Sequence, residues 1–267
     1  MRICKIKIMK KTCFIISIVL FSLANKPVFC GTPLVFIGDD HFPPYSYEEK
    51  GRLVGIDVEI IEEMARRLNL DITIKLAPWK RLIRMTRDGQ CDGSFSLFHT
   101  EKREEFALYA FSQPLHVSRF PLFFKKGRAI RFNTIEDLYG KIIGINRGFS
   151  GSHAFDAAVE QGRIRINPEN AVEENILLTA GGKIDGFTNN YDVTKYKLKN
   201  SPRLREYKDL IMHTRKSISD HRNAYLVLSK WASQIPDKPG MIRRINQALT
   251  EMKKDGFYSA LSQRYLE

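Results

Sequence analysis

Cysteine is nearly absent from the part of this chain that can fold. Of four cysteines in 267 residues, Cys4 and Cys13 lie in a basic and apolar N-terminal stretch and Cys30 sits at its end. Only Cys91 lies beyond. One thiol makes no internal disulfide, so whatever folds past residue 30 must rest on a hydrophobic core. No apolar run long enough to span a membrane follows residue 30, so a one-piece membrane sensor is not expected. Metal-ligand spacings are missing too. His41, His99, His116, His153, His213 and His221 are scattered and read as surface residues, so no metal site is expected. No glycine-rich phosphate loop, Ser-His-Asp order or low-complexity segment stands out. These absences leave no cofactor and no catalytic residue to expect.

What is present begins with a leader. Met1–Lys11 carries Arg2, Lys5, Lys7, Lys10 and Lys11 without an acid, and Thr12–Ala24 is almost wholly apolar. A basic head followed by a short apolar run reads as an export signal, residues 1–30, cut near Cys30 or Gly31. An uncleaved anchor is the alternative, and the bulky Phe29 argues against a lipid anchor on Cys30. An exported protein is expected. Residues 1–30 hold six Lys and Arg and no acid, so the formal charge of +13 falls to +7 for the remainder. That balance allows anionic ligands, but no basic run interleaved with aromatics points to nucleic acid. The remaining chain is long enough for one large domain or two small lobes.

The rest alternates strand-like and helix-like stretches. Leu34–Ile37, Asp71–Leu76 and Cys91–Leu97 read as strands, with helices over Gly55–Leu68 and from Pro78 to Asp88. In the first helix Ile60, Ile61, Met64, Ala65 and Leu68 form one apolar stripe. Asp57 and Glu59 at its start and Arg66 and Arg67 at its end suit the helix dipole, and Glu62–Arg66 and Glu63–Arg67 stand four apart in the favourable order. A surface helix packed on a sheet is expected there. Thr100 reads as the cap of a helix over Glu101–Ala107. From Phe120 the pattern restarts, with strands at Lys141–Ile145, Arg163–Ile166 and Ile184–Thr188 and helices at Ser150–Gln161 and Val172–Ala180. Tyr225–Leu228 reads as a late strand, and Met241, Ile245, Leu249 and Met252 share one face of a helical tail. The class is α/β, with mainly parallel sheets flanked by helices.

The order Gly55-Ile-Asp-Val-Glu-Ile60, then Met64-Ala65 and Leu68, resembles the signature of the bacterial extracellular solute-binding proteins of family 3. Phe42-Pro-Pro-Tyr-Ser-Tyr47, Trp79-Lys-Arg-Leu-Ile83, Thr100-Glu-Lys-Arg103, Phe111-Ser-Gln-Pro114 and Gly182-Lys-Ile-Asp-Gly186 are similar to further marks of that family, in the family's order. The resemblance covers residues 34–266. It implies a type II periplasmic-binding-protein-like fold of two lobes joined by a two-segment hinge. Lobe one would be 32–118 plus 224–267, and lobe two 119–223. It further implies a monomeric exported receptor, not an enzyme, that closes on a small polar solute and delivers it to the permease of an ABC transporter. A partner of a membrane sensor protein, or a cyclohexadienyl-dehydratase-like enzyme on the same fold, is the alternative.

The resemblance also implies a ligand site. Phe42 and Trp79 look like the family's aromatic sandwich, joined by Tyr45, and Arg103 like its carboxylate-forking arginine. Ser94 and Ser96 stand two apart in a strand and are expected to share its cleft-facing side. Arg147, Gly148 and Ser150, at a strand-to-helix turn, offer backbone N–H groups suited to an anion. Amino-acid-binding members hold the ligand ammonium with an Asp where this chain has Asn190, so Asp39 or Asp40 is the substitute from lobe one.

Overall fold

The computed structural model describes residues 32–146, 151–169 and 171–266. The expected signal peptide lies outside them. The chain opens with β1 (Leu34–Asp39), a short hairpin sheet of β2 (His41–Phe42), β3 (Ser46–Glu49) and β4 (Arg52–Val54), and helix α1 (Ile56–Leu68). It continues through β5 (Ile72–Ala77), α2 (Trp79–Arg87), β6 (Gly93–Phe98), α3 (Glu101–Glu104), β7 (Ala107–Tyr109) and β8 (His116–Ser118). A second group follows: β9 (Pro121–Lys125), β10 (Ile142–Asn146), α4 (His153–Glu160), β11 (Arg165–Glu169), α5 (Val172–Ala180), β12 (Gly186–Thr188), α6 (Tyr191–Asn200) and β13 (Ile211–Ser217). The chain closes with β14 (Arg222–Ser229), α7 (Lys238–Lys254) and α8 (Phe257–Leu266). No described helix is long and apolar enough to cross a membrane.

These strands make two principal sheets, one per lobe. The first runs β5-β1-β6-β14-β7, with β8 also paired to β14. Strands β5, β1 and β6 are parallel, and β14 runs against β6. The second runs β11-β10-β12-β9-β13, with β11, β10 and β12 parallel and β9 antiparallel to β12. Between the sheets the chain crosses twice. Arg222 pairs with Ser118, and the Ile218 N–H donates to the Phe120 carbonyl at 3.0 Å, so the two crossings lie side by side.

Helix α1 shows why the core forms where it does. Val58, Ile60, Ile61 and Met64 are wholly buried, each worth roughly 1.5–3 kcal/mol relative to exposure. They pack against α7 and α8, whose Ile245, Leu249, Met252 and Leu261 belong to the same cluster. The expected ion pairs are only half right. Glu63 takes both Arg66, three residues on, and Arg67, at 2.7 Å each, and Arg67 also reaches Asp255 at 2.6 Å. Glu62 is not Arg66's partner, because Arg66 lays two guanidinium nitrogens on the Glu63 carboxylate. Asp57 stands in the first turn as expected but is not a surface acid. It is wholly buried.

Strand β6 departs from simple alternation. Leu97 pairs with Tyr225 but Ser94 with Val227, so three steps on β6 match two on β14. The extra residue forms a bulge, and Ser96 takes φ 67°, in the left-handed region. The side chains of Ser94 and Ser96 therefore do not share one face. Ser94 Oγ meets Thr86 Oγ1 of α2 at 2.5 Å, whereas Ser96 Oγ donates to Asp57 Oδ2 of α1 at 2.5 Å. The helix expected over Glu101–Ala107 stops at Glu104, and Ala107 begins β7.

Candidate functional site

In open α/β sheets ligands gather beyond the carboxyl ends of parallel strands. In lobe one those ends lead to Asp39, Trp79 and the segment Phe98–Arg103. Trp79 starts α2, directly after Pro78, whose fixed φ suits the entry to a helix. Thr100 caps α3, its hydroxyl accepting the Arg103 N–H at 3.3 Å. That cap turns the Arg103 side chain back, so its guanidinium lies over the Trp79 ring, 5.1 Å from the centroid. Arg103 Nη1 donates to the Phe98 carbonyl at 2.6 Å, an oxygen that also accepts from Tyr109 Oη at 3.1 Å. Burial lowers the pKa of the guanidinium, and the charge of Arg222 adds to the effect. Burial pushes the Tyr109 phenol up to about 12. The Arg222 guanidinium itself lies over Phe98 and Phe120, at 5.8 and 5.6 Å. Among the described residues no carboxylate lies within ion-pair distance of Arg103. A half-buried cation beside a second one is a poor arrangement by itself and a good one for an incoming anion.

Lobe two carries a cluster of amides at the end of β10 and just after β12. Asn146 ends β10, and its Nδ2 donates to Asn189 Oδ1 at 3.3 Å. Asn175 of α5 donates to Asn146 Oδ1 at 3.4 Å, and Asn189 donates to Thr194 Oγ1 at 3.2 Å. Asn190 caps α6 through Val193 N–H at 3.1 Å, and its Nδ2 donates to Ser118 Oγ at 2.7 Å. Its side chain is thus spent on the hinge and on the helix start.

The remaining expected site residues divide. Asp39 accepts the His41 N–H at 3.0 Å, and burial, with the charge of Asp40, raises its pKa above the ordinary carboxylate value. Asp40 meets the His41 ring at 2.5 Å. Phe42 makes no direct ring contact with Trp79. It packs on Tyr45, 5.0 Å away, and on His116, 5.7 Å away. Tyr45 is only 1% exposed, stacks on His116 at 3.6 Å and donates its hydroxyl to Asp192 Oδ2 of lobe two at 2.7 Å. Ser94 and Ser96 are held in the interior, as above. Arg147, Gly148 and Ser150 lie outside the described residues. The structure thus brings Trp79 and Arg103 together, and separately gathers Phe42 and Tyr45 around His116.

His116 overturns its reading as a surface histidine. It is buried, with Nδ1 2.8 Å from Asp57 Oδ2, and the pair sits beneath the Tyr45 ring. Asp57, His116 and Asp192 are the residues that sequence reasoning missed. The only local signal is a run of polar residues, Asn189-Asn190-Tyr191-Asp192, immediately after a buried strand.

Comparison with known proteins closes the question of family. The family model for bacterial extracellular solute-binding proteins, family 3, matches residues 34–267. The chain belongs to that family. This family 3 protein is 24% identical over 244 residues to the L-cystine-binding protein TcyJ of Escherichia coli (strain K12), covering 91% of this chain and 85% of the relative. To the histidine-binding periplasmic protein of the same strain it is 27% identical over 276 residues, covering 97% and 98%. Among solved structures, a histidine kinase sensor domain with similarity to periplasmic binding proteins superposes with a TM-score of 0.68 at 16% identity, covering 88% of this chain and 96% of that one. The last likeness speaks for the fold alone. The two curated relatives are named as binding proteins, and the chain is a solute-binding receptor of the two-lobe type.

Proposed function

We propose that this family 3 protein works in the periplasm as a monomer, closes on a small carboxylate-bearing solute and passes it to the permease of an ABC transporter. Residues 1–30 serve as the export signal, 32–118 with 224–267 form lobe one, and 119–223 form lobe two. The strands of the two sheets divide close to those boundaries, with β14 of the first sheet beginning two residues early, at Arg222, which supports the division. The observation that carries the ligand class is the Arg103 guanidinium, half-buried on the Trp79 face and without a carboxylate partner among the described residues. A planar guanidinium so placed forks a carboxylate with two parallel hydrogen bonds, and the aromatic face keeps water out. Lobe two answers with Asn146 and Asn189, which offer dipoles and no charge, and Asn190, already engaged by Ser118 and Val193, brings no charge in place of an Asp. An ammonium therefore gains less here than a carboxylate does. The relatives named for cystine and histidine support a solute of amino-acid size.

Thermal unfolding of the mature protein against panels of organic acids, amino acids and polyamines tests the reading. A carboxylate at about 100 times its Kd adds about 2.7 kcal/mol to the native state, which raises the midpoint. Arg103→Ala and Trp79→Ala should lose that rise while unfolding cooperatively on their own. Stabilisation by polyamines but by no carboxylate would refute the ligand class, and undiminished shifts in both variants would refute the site.

A further inference from the structure

Helix α2 carries a charge pattern that neither the fold nor the solute site explains. Its residues, Trp79–Arg87, include Lys80, Arg81, Arg84 and Arg87 and no acid. Leu82 and Thr86 are buried, whereas all four cations are exposed. At about 3.6 residues per turn the four fall in one sector of the helix, opposite Leu82 and Thr86. Arg87 meets Asp88 at 3.1 Å, and among the described residues Lys80, Arg81 and Arg84 make no ion pair. Lys80 and Arg81 stand in the first turn, where a cation opposes the helix dipole. Lys80 and Arg84, Arg81 and Arg84, and Arg84 and Arg87 are like charges three or four apart, which repel. The helix bears this repulsion with only Asp88, at its end, to offset it.

An indole stands at that same end. Trp231 is 65% exposed, more than any other large apolar side chain among the described residues. Its backbone is fastened to α2: the Trp231 N–H donates to Ser229 Oγ at 3.2 Å, and that hydroxyl donates to the Thr86 carbonyl at 2.7 Å. Gly89, with φ 69°, permits the approach, since a Cβ there would lie 2.9 Å from Trp231 Cβ. Leu82 is already spent on the core around Ile37 and Leu97, so α2 has no apolar face left to sink into lipid. A protein partner would favour an apolar centre ringed by polar groups. Here the charge is at the centre and the indole at the edge, on the convex side of a helix. Cations that meet lipid phosphates, with a tryptophan at headgroup level, match the boundary between bilayer and water.

We propose that α2 with Trp231 is a docking face for an anionic phospholipid surface. Lys80, Arg81, Arg84 and Arg87 lie against headgroup phosphates, and the indole sits at their level. The setting beside a membrane rests on the periplasmic reading above, whereas the lipid contact itself uses neither Arg103 nor solute.

Sedimentation of the mature protein with vesicles, without solute and at low salt, is the test. The protein should bind vesicles of phosphatidylcholine and phosphatidylglycerol in equal parts, not those of phosphatidylcholine alone, and rising sodium chloride should release it. Arg81→Gln with Arg84→Gln should weaken binding about tenfold or more. Lys126→Gln with Lys254→Gln, which removes the same charge from exposed positions elsewhere, should weaken it much less. Trp79 and Trp231 are the two tryptophans of the chain, so a Trp79→Phe variant reports Trp231 alone. Its emission should move to the blue on the mixed vesicles. No binding to the mixed vesicles at low salt overturns the proposal, as does equal weakening by the two double variants or an unmoved Trp231 emission in the bound protein. Binding of poly-glutamate but of no vesicle overturns it too, and gives the face to an acidic protein. Solute binding is read separately by thermal unfolding, so either result can fail while the other stands.

Discussion

Glu63 lies under two arginines, and its titration belongs to the folded state. The hydrogen bond from Arg66, reinforced by Arg67 and opposed by partial burial, lowers its carboxyl from 4.5 to about 2. A lowered folded-state pKa means that protons bind the unfolded chain more readily. The contribution is therefore complete above pH 4.5 and is lost as pH falls toward about 2. Arg66 is 71% exposed, so solvent screens much of the pairing. Urea unfolding of Glu63→Gln should show a shallower loss of stability than the parent between those two pH values, with the difference shrinking as salt rises. Parallel pH profiles would show that the pair contributes nothing measurable. The spacing of Glu63 and Arg67 was readable because both ends lie within one helical turn. Asp57 was not readable in the same way. Its partners Ser96 and His116 stand 39 and 59 residues away, and a local charge pattern carries no trace of them.

At the scale of elements, α1 depends on the residue just before it. Gly55 has φ 128°, and a Cβ there would lie 2.3 Å from the Tyr45 carbonyl oxygen. Gly55→Ala should therefore cost about 1–3 kcal/mol in backbone strain, plus whatever the clash adds, as a drop in the urea midpoint. An unchanged midpoint would mean the Tyr45 segment yields freely. Long amphipathic stretches such as α1, α5 and α7 were legible because their apolar period reports a buried face directly. The misses share a cause. The turn to β7 at Ala107 and the polar helix α6 lack a strong apolar period, and their conformations are set by β14 and by the hinge. The bulge in β6 is a register effect between two strands far apart in sequence, so alternation alone placed Ser94 and Ser96 on one face. For the site, the motif positions of Trp79 and Arg103 led to side chains that meet. Phe42 and Tyr45 pack on His116, whose ring is held by a buried hydrogen bond with Asp57, a partner far away in sequence.

At the scale of the whole molecule, the Tyr45 phenol is one of the ties between the lobes, beside the Tyr47–Tyr196 ring contact at 5.4 Å. Tyr45 of lobe one is anchored by stacking on His116, which is fixed by Asp57, and its hydroxyl ends on Asp192 of lobe two at 2.7 Å. The wall of this link is continuous with the core packed on α1, so the force it transmits acts on the rigid part of lobe one. A hydrogen bond to a carboxylate contributes about 1.5–3 kcal/mol, which is tenfold or more in the balance between lobes in contact and lobes apart. Tyr45→Phe keeps the ring stack and removes only the bond. In solution scattering without added solute, the variant should have a larger radius of gyration than the parent, and saturating solute should bring the two together. Its solute affinity should fall by the factor that the lost population implies, because the binding-competent arrangement is less often present. Identical scattering and identical affinity would mean that the hinge and the Tyr47–Tyr196 contact set how far the lobes part, with the Tyr45–Asp192 contact following rather than holding them.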